Sequence, residues 1–124
     1  MKVKCGTDII EIERIKESIE EFGEKFLKRV FTEGEIQYCE SKKAQKYQHY
    51  AARFAAKEAI FKAISGNLSD KYELEWCDYE ILNDENGKPN VKIKRLDLSN
   101  IEDIDLSISH CRQYAVATVV VTYK

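Results

Sequence analysis

Residues 47–64 constrain this chain more than any other part of it: they include no Gly or Pro, are rich in alanine, and carry apolar side chains on every side. A helix that is apolar all round must be enclosed on all its faces. A buried central helix is therefore expected here, ending at Gly66, with the remaining elements wrapped about it. At 124 residues the chain can build one such core but not two. With no Pro/Gly/Ser-rich linker and no internal repeat, residues 1–124 read as a single domain.

On the N-terminal side, Val3, Cys5 and Thr7 alternate with Lys2 and Lys4, then give way to Ile12, Ile15, Ile19 and Phe22 at three- and four-residue spacing. The pattern predicts a short strand with Asp8 at its end, leading into an amphipathic helix that stops at Gly23. Phe26, Leu27 and Val30 suggest another helical piece, and Thr32 ahead of Glu33 and Glu35 reads as the N-cap of a further helix. Beyond Gly66 the period changes to two. Residues 74–82 and 91–94 read as a hairpin around Asn86-Gly87, followed by strands over 104–109 and 114–122 joined by 110–113. Helices gathered early and strands late give an α+β class, with a mainly antiparallel sheet packed against the long central helix.

Twenty Lys and Arg against twenty-two Asp and Glu leave a formal charge of -2, which removes the basic field that non-specific nucleic-acid binding requires. Four cysteines with no CxxC pair and no clustered His write neither a zinc site nor a redox dithiol, and all four are expected to be reduced. No leader pattern opens the chain and no apolar run is long enough for a membrane helix, so a cytoplasmic location is expected. A domain of this size buries only about two-thirds of its unfolded surface, so a site that excludes water calls for a neighbouring subunit.

Glu58 is the most informative residue. On a helical wheel Ala51, Phe54, Ala55, Phe61 and Ser65 all lie within about 60° of it, so its carboxylate leaves an apolar stripe and needs a cation, a salt bridge or a proton. The plain answer is Lys62 at i, i+4. The chemical answer is a hard cation, since Asp8 and Glu58 are oxygen ligands of the kind Mg²⁺ takes together with phosphate and water. Asp8 could equally cap the first helix, His110 could be a solvated turn residue, and Arg53 and Lys62 could be surface charges.

Five segments in order resemble one family, holo-acyl-carrier-protein synthase, and the resemblance covers residues 6–121. They are the stretch from Gly6-Thr7-Asp8 to Arg14-Ile15; Val30-Phe31-Thr32-Glu33-Gly34-Glu35 with Tyr38-Cys39; Arg53-Phe54-Ala55-Ala56-Lys57-Glu58-Ala59 with Lys62-Ala63; residues 83–89; and Ser107-Ile108-Ser109-His110 with Tyr114-Ala115. Two places depart from the family pattern: Ser65-Gly66-Asn67 stands where a Gly-Thr-Gly turn is usual, and Cys111 where Thr or Ser is common.

The resemblance implies a transferase of fatty acid biosynthesis that moves the 4′-phosphopantetheine of coenzyme A onto a serine of apo-acyl carrier protein and releases adenosine 3′,5′-bisphosphate. Asp8 and Glu58 would hold Mg²⁺, Lys62 would face the same phosphates, and Arg53 and His110 would contact coenzyme A. Gly87, Lys88 and Pro89 would border the nucleotide, Arg14 would meet the acidic carrier with Lys25, Lys28 and Arg29 enlarging that surface, and the assembly would be a homotrimer with sites between subunits. The residues alone leave two competitors: a metal-dependent pyrophosphate-bond hydrolase and a non-catalytic carrier-binding module.

Overall fold

The computed structural model describes residues 1–70 and 73–124. Strand β1 (Lys2–Glu11) runs directly into helix α1 (Ile12–Phe22), which buries Ile12, Ile15 and Ile19. Gly23 ends it at φ 58°, a backbone state that a side chain would strain, and α2 (Glu24–Val30) follows at once. Helix α3 (Glu33–Glu40) is capped as the sequence suggests. Thr32 Oγ1 accepts from the Glu35 amide, and the Glu35 carboxylate accepts from the Thr32 amide at 2.8 Å. After a 3₁₀ turn at Lys43–Gln45 comes the long helix α4 (Lys46–Ile64).

The remaining elements are strands β2 (Tyr79–Asn83), β3 (Pro89–Ile93), β4 (Ile101–His110) and β5 (Tyr114–Tyr123). They form two sheets rather than one: β1, β5 and β4 pair antiparallel in that order, and β2 and β3 form a separate hairpin. The α+β class holds, with α4 lying across the inner face of the larger sheet. Ala55, Ala59, Ile60 and Ala63 of the helix are buried with Ala117, Val119 and Val121 of β5 and with Tyr79 and Ile81 of β2. A second cluster joins Ile12, Ile15 and Ile19 to Val30, Phe31, Tyr50 and Ala51. All four cysteines are free, and among the described residues no helix is long and apolar enough to cross a membrane.

Two local expectations are corrected. Asp8 does not end the first strand and caps no helix: β1 continues to Glu11 because β5 pairs with it along its whole length, Asp8 opposite Ala117 and Glu11 opposite Tyr114. Residues 74–78 are not strand. Trp76–Asp78 is a 3₁₀ turn in which the Asp78 carboxylate accepts from the Glu75 amide at 2.7 Å and from Arg95 Nε at 3.0 Å, local bonding that outweighs the alternation of apolar residues. Helix α4 stops at Ile64, close to the expected end at Gly66. It tightens into a 3₁₀ turn at Ser65–Asn67, and positive φ among the glycines is confined to Gly23 and to Gly87, whose φ of 82° closes the β2–β3 turn.

One buried ion pair ties these parts together. Lys57 Nζ, fully buried, donates to Glu35 Oε1 at 2.7 Å, to the Val30 carbonyl at 2.7 Å and to the Trp76 carbonyl at 3.1 Å. Glu35 Oε2 accepts in turn from the Ile81 amide at 2.8 Å. Every polar atom of the pair has a partner, the condition under which a buried charge pair is tolerated.

Candidate active site

The pleat of β1 sends Gly6, Asp8 and Ile10 toward α4 and leaves Val3, Cys5, Thr7 and Ile9 outside. Gly6 is required for how close the strand comes. A Cβ there would fall well inside contact distance of the Ala59 carbonyl oxygen and 3.1 Å from the Ala63 nitrogen, both of them helix backbone. This close approach brings Asp8, two residues on, against the next turn of the helix. Lys62 Nζ donates to the Thr7 carbonyl at 2.9 Å and to Asp8 Oδ1 at 3.2 Å.

Lys62 is thus bonded to β1 rather than answering Glu58 as a simple i, i+4 pair. Glu58 is half-buried, and burial, then the charge of Asp8, holds its carboxyl above its ordinary value, with Lys62 pulling the other way. Two carboxylates share one ammonium, so the cluster carries negative charge it has not neutralised. Among the described residues no three His, Cys, Asp or Glu side chains gather into a cage. The donor set is instead two carboxylates, Glu58 half-buried and Asp8 19% exposed, which suits a hard cation whose other ligands are phosphate and water oxygens.

Five residues earlier on α4, and about 140° round it, lies a second group. Arg53 is buried, with its guanidinium 4.2 Å from the centre of the Tyr38 ring, its Nη2 donating to Asn83 Oδ1 at 3.2 Å and its Nε without a partner among the described residues. His49 was not singled out in the sequence, although it sits one turn before Arg53. Its ring stands edge-on to Tyr38 at 5.6 Å and to His110 at 5.7 Å. Burial, then Arg53, His110 and Lys42, push His49 down to about 4, so it is neutral at physiological pH.

The other named residues lie further out. Gly87 and Lys88 form the exposed hairpin turn and Pro89 begins β3, while Lys88 Nζ is held to β4 by Asp105 Oδ1 at 2.8 Å. Arg14 is on the exposed face of α1, and Lys25, Lys28 and Arg29 are exposed on α2, Lys28 paired with Glu24 at 3.6 Å. Between α2, α4 and the Trp76–Asp78 turn there is a cavity of about 810 Å³ that Glu58 helps to line.

An α+β domain whose central helix offers a carboxylate and an ammonium to a strand carboxylate, with an arginine and two histidines behind them, has the makings of a polyphosphate-handling site. Residues 4–119 match the 4′-phosphopantetheinyl transferase superfamily, and the chain belongs to that family. It is 48% identical to the holo-[acyl-carrier-protein] synthase of Ruminiclostridium cellulolyticum, over 98% of this chain and 93% of that one. The same identity holds for the Protochlamydia amoebophila enzyme of that name, over 97% and 98%. The fold matches the crystal structure of a holo-(acyl-carrier-protein) synthase from Bacillus anthracis in complex with CoA (3′,5′-ADP), with TM-score 0.80, 34% identity, and 98% and 96% of the two chains covered. The Helicobacter pylori enzyme in complex with coenzyme A superposes with TM-score 0.82 at 32% identity, over 95% and 99%.

Proposed function

We propose that the chain is a holo-acyl-carrier-protein synthase, which transfers 4′-phosphopantetheine from coenzyme A to a serine of apo-acyl carrier protein in the cytoplasm. The observation that carries this reading is the convergence of Asp8, Glu58 and Lys62 at the β1–α4 contact. In the transfer the serine oxygen forms a bond to the phosphorus of the pantetheine phosphate as the anhydride P–O bond breaks. The serine proton is released and adenosine 3′,5′-bisphosphate departs.

Asp8 and Glu58 fit Mg²⁺, which when bound would neutralise charge on the pyrophosphate oxygens. Lys62 Nζ, already aimed at Asp8 and half exposed, stabilises charge on the departing phosphate. Arg53, whose Nε has no partner among the described residues, and His110 bind the phosphates of coenzyme A, and Gly87, Lys88 and Pro89 border its nucleotide. Arg14, with Lys25, Lys28 and Arg29, forms the surface that draws an acidic carrier.

The two groups on α4 point to different sides of one helix, so one protomer cannot easily turn both onto one ligand. The outer face of the larger sheet supports an assembly that can. It exposes Val3, Ile9, Tyr114 and Val120, an apolar surface that nothing among the described residues covers. The reading is a homotrimer in which Asp8, Glu58 and Lys62 of one subunit meet Arg53 and His110 of the next.

The test is the intact mass of an apo-carrier after incubation with the protein, coenzyme A and Mg²⁺. A gain of one phosphopantetheine is expected, and it should vanish for Asp8→Ala and Glu58→Ala. Cleavage of coenzyme A without a carrier would favour a hydrolase, and no turnover a binding module; either result refutes the transferase. Mixing inactive Glu58→Ala and His110→Ala chains should restore part of the activity, whereas mixed oligomers no more active than their parents would refute the shared site.

A further inference from the structure

Among the described residues every charge that acts on His49 has the same sign. Around its ring stand Tyr38 of α3, Lys42 of the following turn, Arg53 of its own helix and His110 at the end of β4. Lys42 Nζ lies 4.8 Å from the centre of the Tyr38 ring that Arg53 also approaches, so two fixed cations share one aromatic side chain. No carboxylate among the described residues answers them. Arg53 is bonded to the neutral amide of Asn83, which turns its own Nδ2 to Tyr38 Oη at 2.9 Å. Glu40, at the end of α3, is taken by Tyr50 Oη at 2.6 Å and by Lys46 Nζ at 3.3 Å. His49 is partly exposed, and among the described residues neither of its ring nitrogens is hydrogen-bonded. A phenyl ring would make the same edge-on contacts with Tyr38 and His110. The nitrogens are therefore not needed for packing, and the positive field around them opposes a proton on His49 while it attracts an anion.

Coenzyme A carries phosphate of two kinds. Its pyrophosphate belongs with Asp8, Glu58 and Lys62, where the anhydride breaks. Its 3′-phosphomonoester, kept in the adenosine 3′,5′-bisphosphate that departs, falls to the group on the other side of α4. A phosphomonoester is close to a dianion at neutral pH, since its second proton leaves at about pH 6. We infer that His49 joins Arg53 and His110 on this phosphate and takes up one proton from solvent as the phosphate binds. The step is a proton transfer alone: the bare ring nitrogen gains the proton, and the imidazolium so formed donates to a phosphate oxygen. Without the ligand, burial first and then Arg53, His110 and Lys42 keep the imidazole neutral. A dianion set among these cations cancels their repulsion and adds an attraction, which moves His49 back toward its charged form. The inference rests on the proposed transferase function. It adds to that function a residue by which the chain selects the phosphomonoester, and a pH dependence of binding seated away from Asp8 and Glu58.

The chain has two histidines, so His49 can be followed individually by NMR, with His49→Phe to assign its signals. In the chain alone His49 should stay neutral from pH 8 down to pH 5. With adenosine 3′,5′-bisphosphate bound it should titrate within that range, with a midpoint at roughly pH 6 or above. Adenosine 5′-monophosphate, which lacks the 3′-phosphate, should leave it neutral. Calorimetric titrations with coenzyme A and Mg²⁺ give a second reading. The parent chain should bind about tenfold more tightly than His49→Phe at pH 6 and about equally at pH 9, the direction required when binding takes up a proton. Comparing the two proteins at each pH cancels the ligand's own titration. Dephospho-coenzyme A, which has the pyrophosphate but no phosphomonoester, should show no such advantage at either pH. A His49 that stays neutral in the bisphosphate complex, that responds equally to the monophosphate, or whose advantage does not fall with pH would overturn the inference while carrier modification by the parent chain continued. A parent chain that binds neither coenzyme A nor the bisphosphate would overturn the transferase reading together with it.

Discussion

Replacing Gly6 by alanine asks for space that the fold does not have. The new methyl would meet the carbonyl oxygen of Ala59, that carbonyl's carbon at 3.0 Å and the Ala63 nitrogen at 3.1 Å. All three atoms are backbone of the last turns of α4, so no flexible side chain can give way and the strand itself must lift. Overpacking of this kind costs typically about 1–3 kcal/mol. For a domain of this length that corresponds to a fall in Tm of roughly 4–15 °C. The functional loss should be larger than the stability loss. Asp8 is two residues from Gly6 and moves with β1, and a displacement of about 1 Å at a reacting group can cost on the order of 10²-fold in rate. The assay is transfer to an apo-carrier at saturating coenzyme A, read by mass at a temperature where both proteins are folded by circular dichroism. Gly66→Ala is the control. Nothing lies within 4 Å of its would-be Cβ and its φ is not positive, so it should stay within about 0.5 kcal/mol of the parent. A Gly6→Ala chain that melted with the parent and transferred at the parent rate would refute the claim that this contact sets the position of Asp8.

Other outcomes follow from the charges. Lys57→Met leaves Glu35 buried against Ile81 and Thr32 without its cation, and urea melts should show a loss of about 3–5 kcal/mol, recovered in large part by adding Glu35→Gln. Glu58 is raised above its ordinary 4.5, so the folded chain holds that proton longer than the unfolded one, and stability from this group is lost as pH rises through the raised value. Glu58→Gln should therefore raise Tm at pH 7, with the gain shrinking toward pH 4, while transfer is abolished; a lower Tm at pH 7 would contradict the assignment. Arg14→Glu should weaken use of the carrier and reduce the salt dependence of its association without altering coenzyme A binding by calorimetry.

Much of the site could be read from the sequence because its residues are local. Glu58 and Lys62 share one helical stretch whose alanines announce burial, and Thr32 and Glu35 form a cap visible as a spacing. What escaped depends on partners far away in the chain. The length of β1 is set by β5 more than a hundred residues later, so Asp8 looked like a strand end and lies inside a strand. The 3₁₀ turn at Trp76–Asp78 depends on Arg95, which alternation cannot report. His49 had only its i, i+4 relation to Arg53 to mark it, and its ring contact with His110 arises from the meeting of α4 with the end of β4.

The placing of Lys57 directly before Glu58 gives the buried ion pair a geometric consequence. Consecutive residues on a helix are about 100° apart, so anchoring one of them fixes the roll of the helix about its own axis. Lys57 is anchored to three acceptors from three parts of the chain, at Glu35, Val30 and Trp76. A roll of α4 that carried Glu58 away from Asp8 would pull that ammonium from all three at once. Ala55, Ala59 and Ala63 around it present a smooth surface that resists rotation only weakly, and the lysine acts as the key that keeps a smooth shaft from turning.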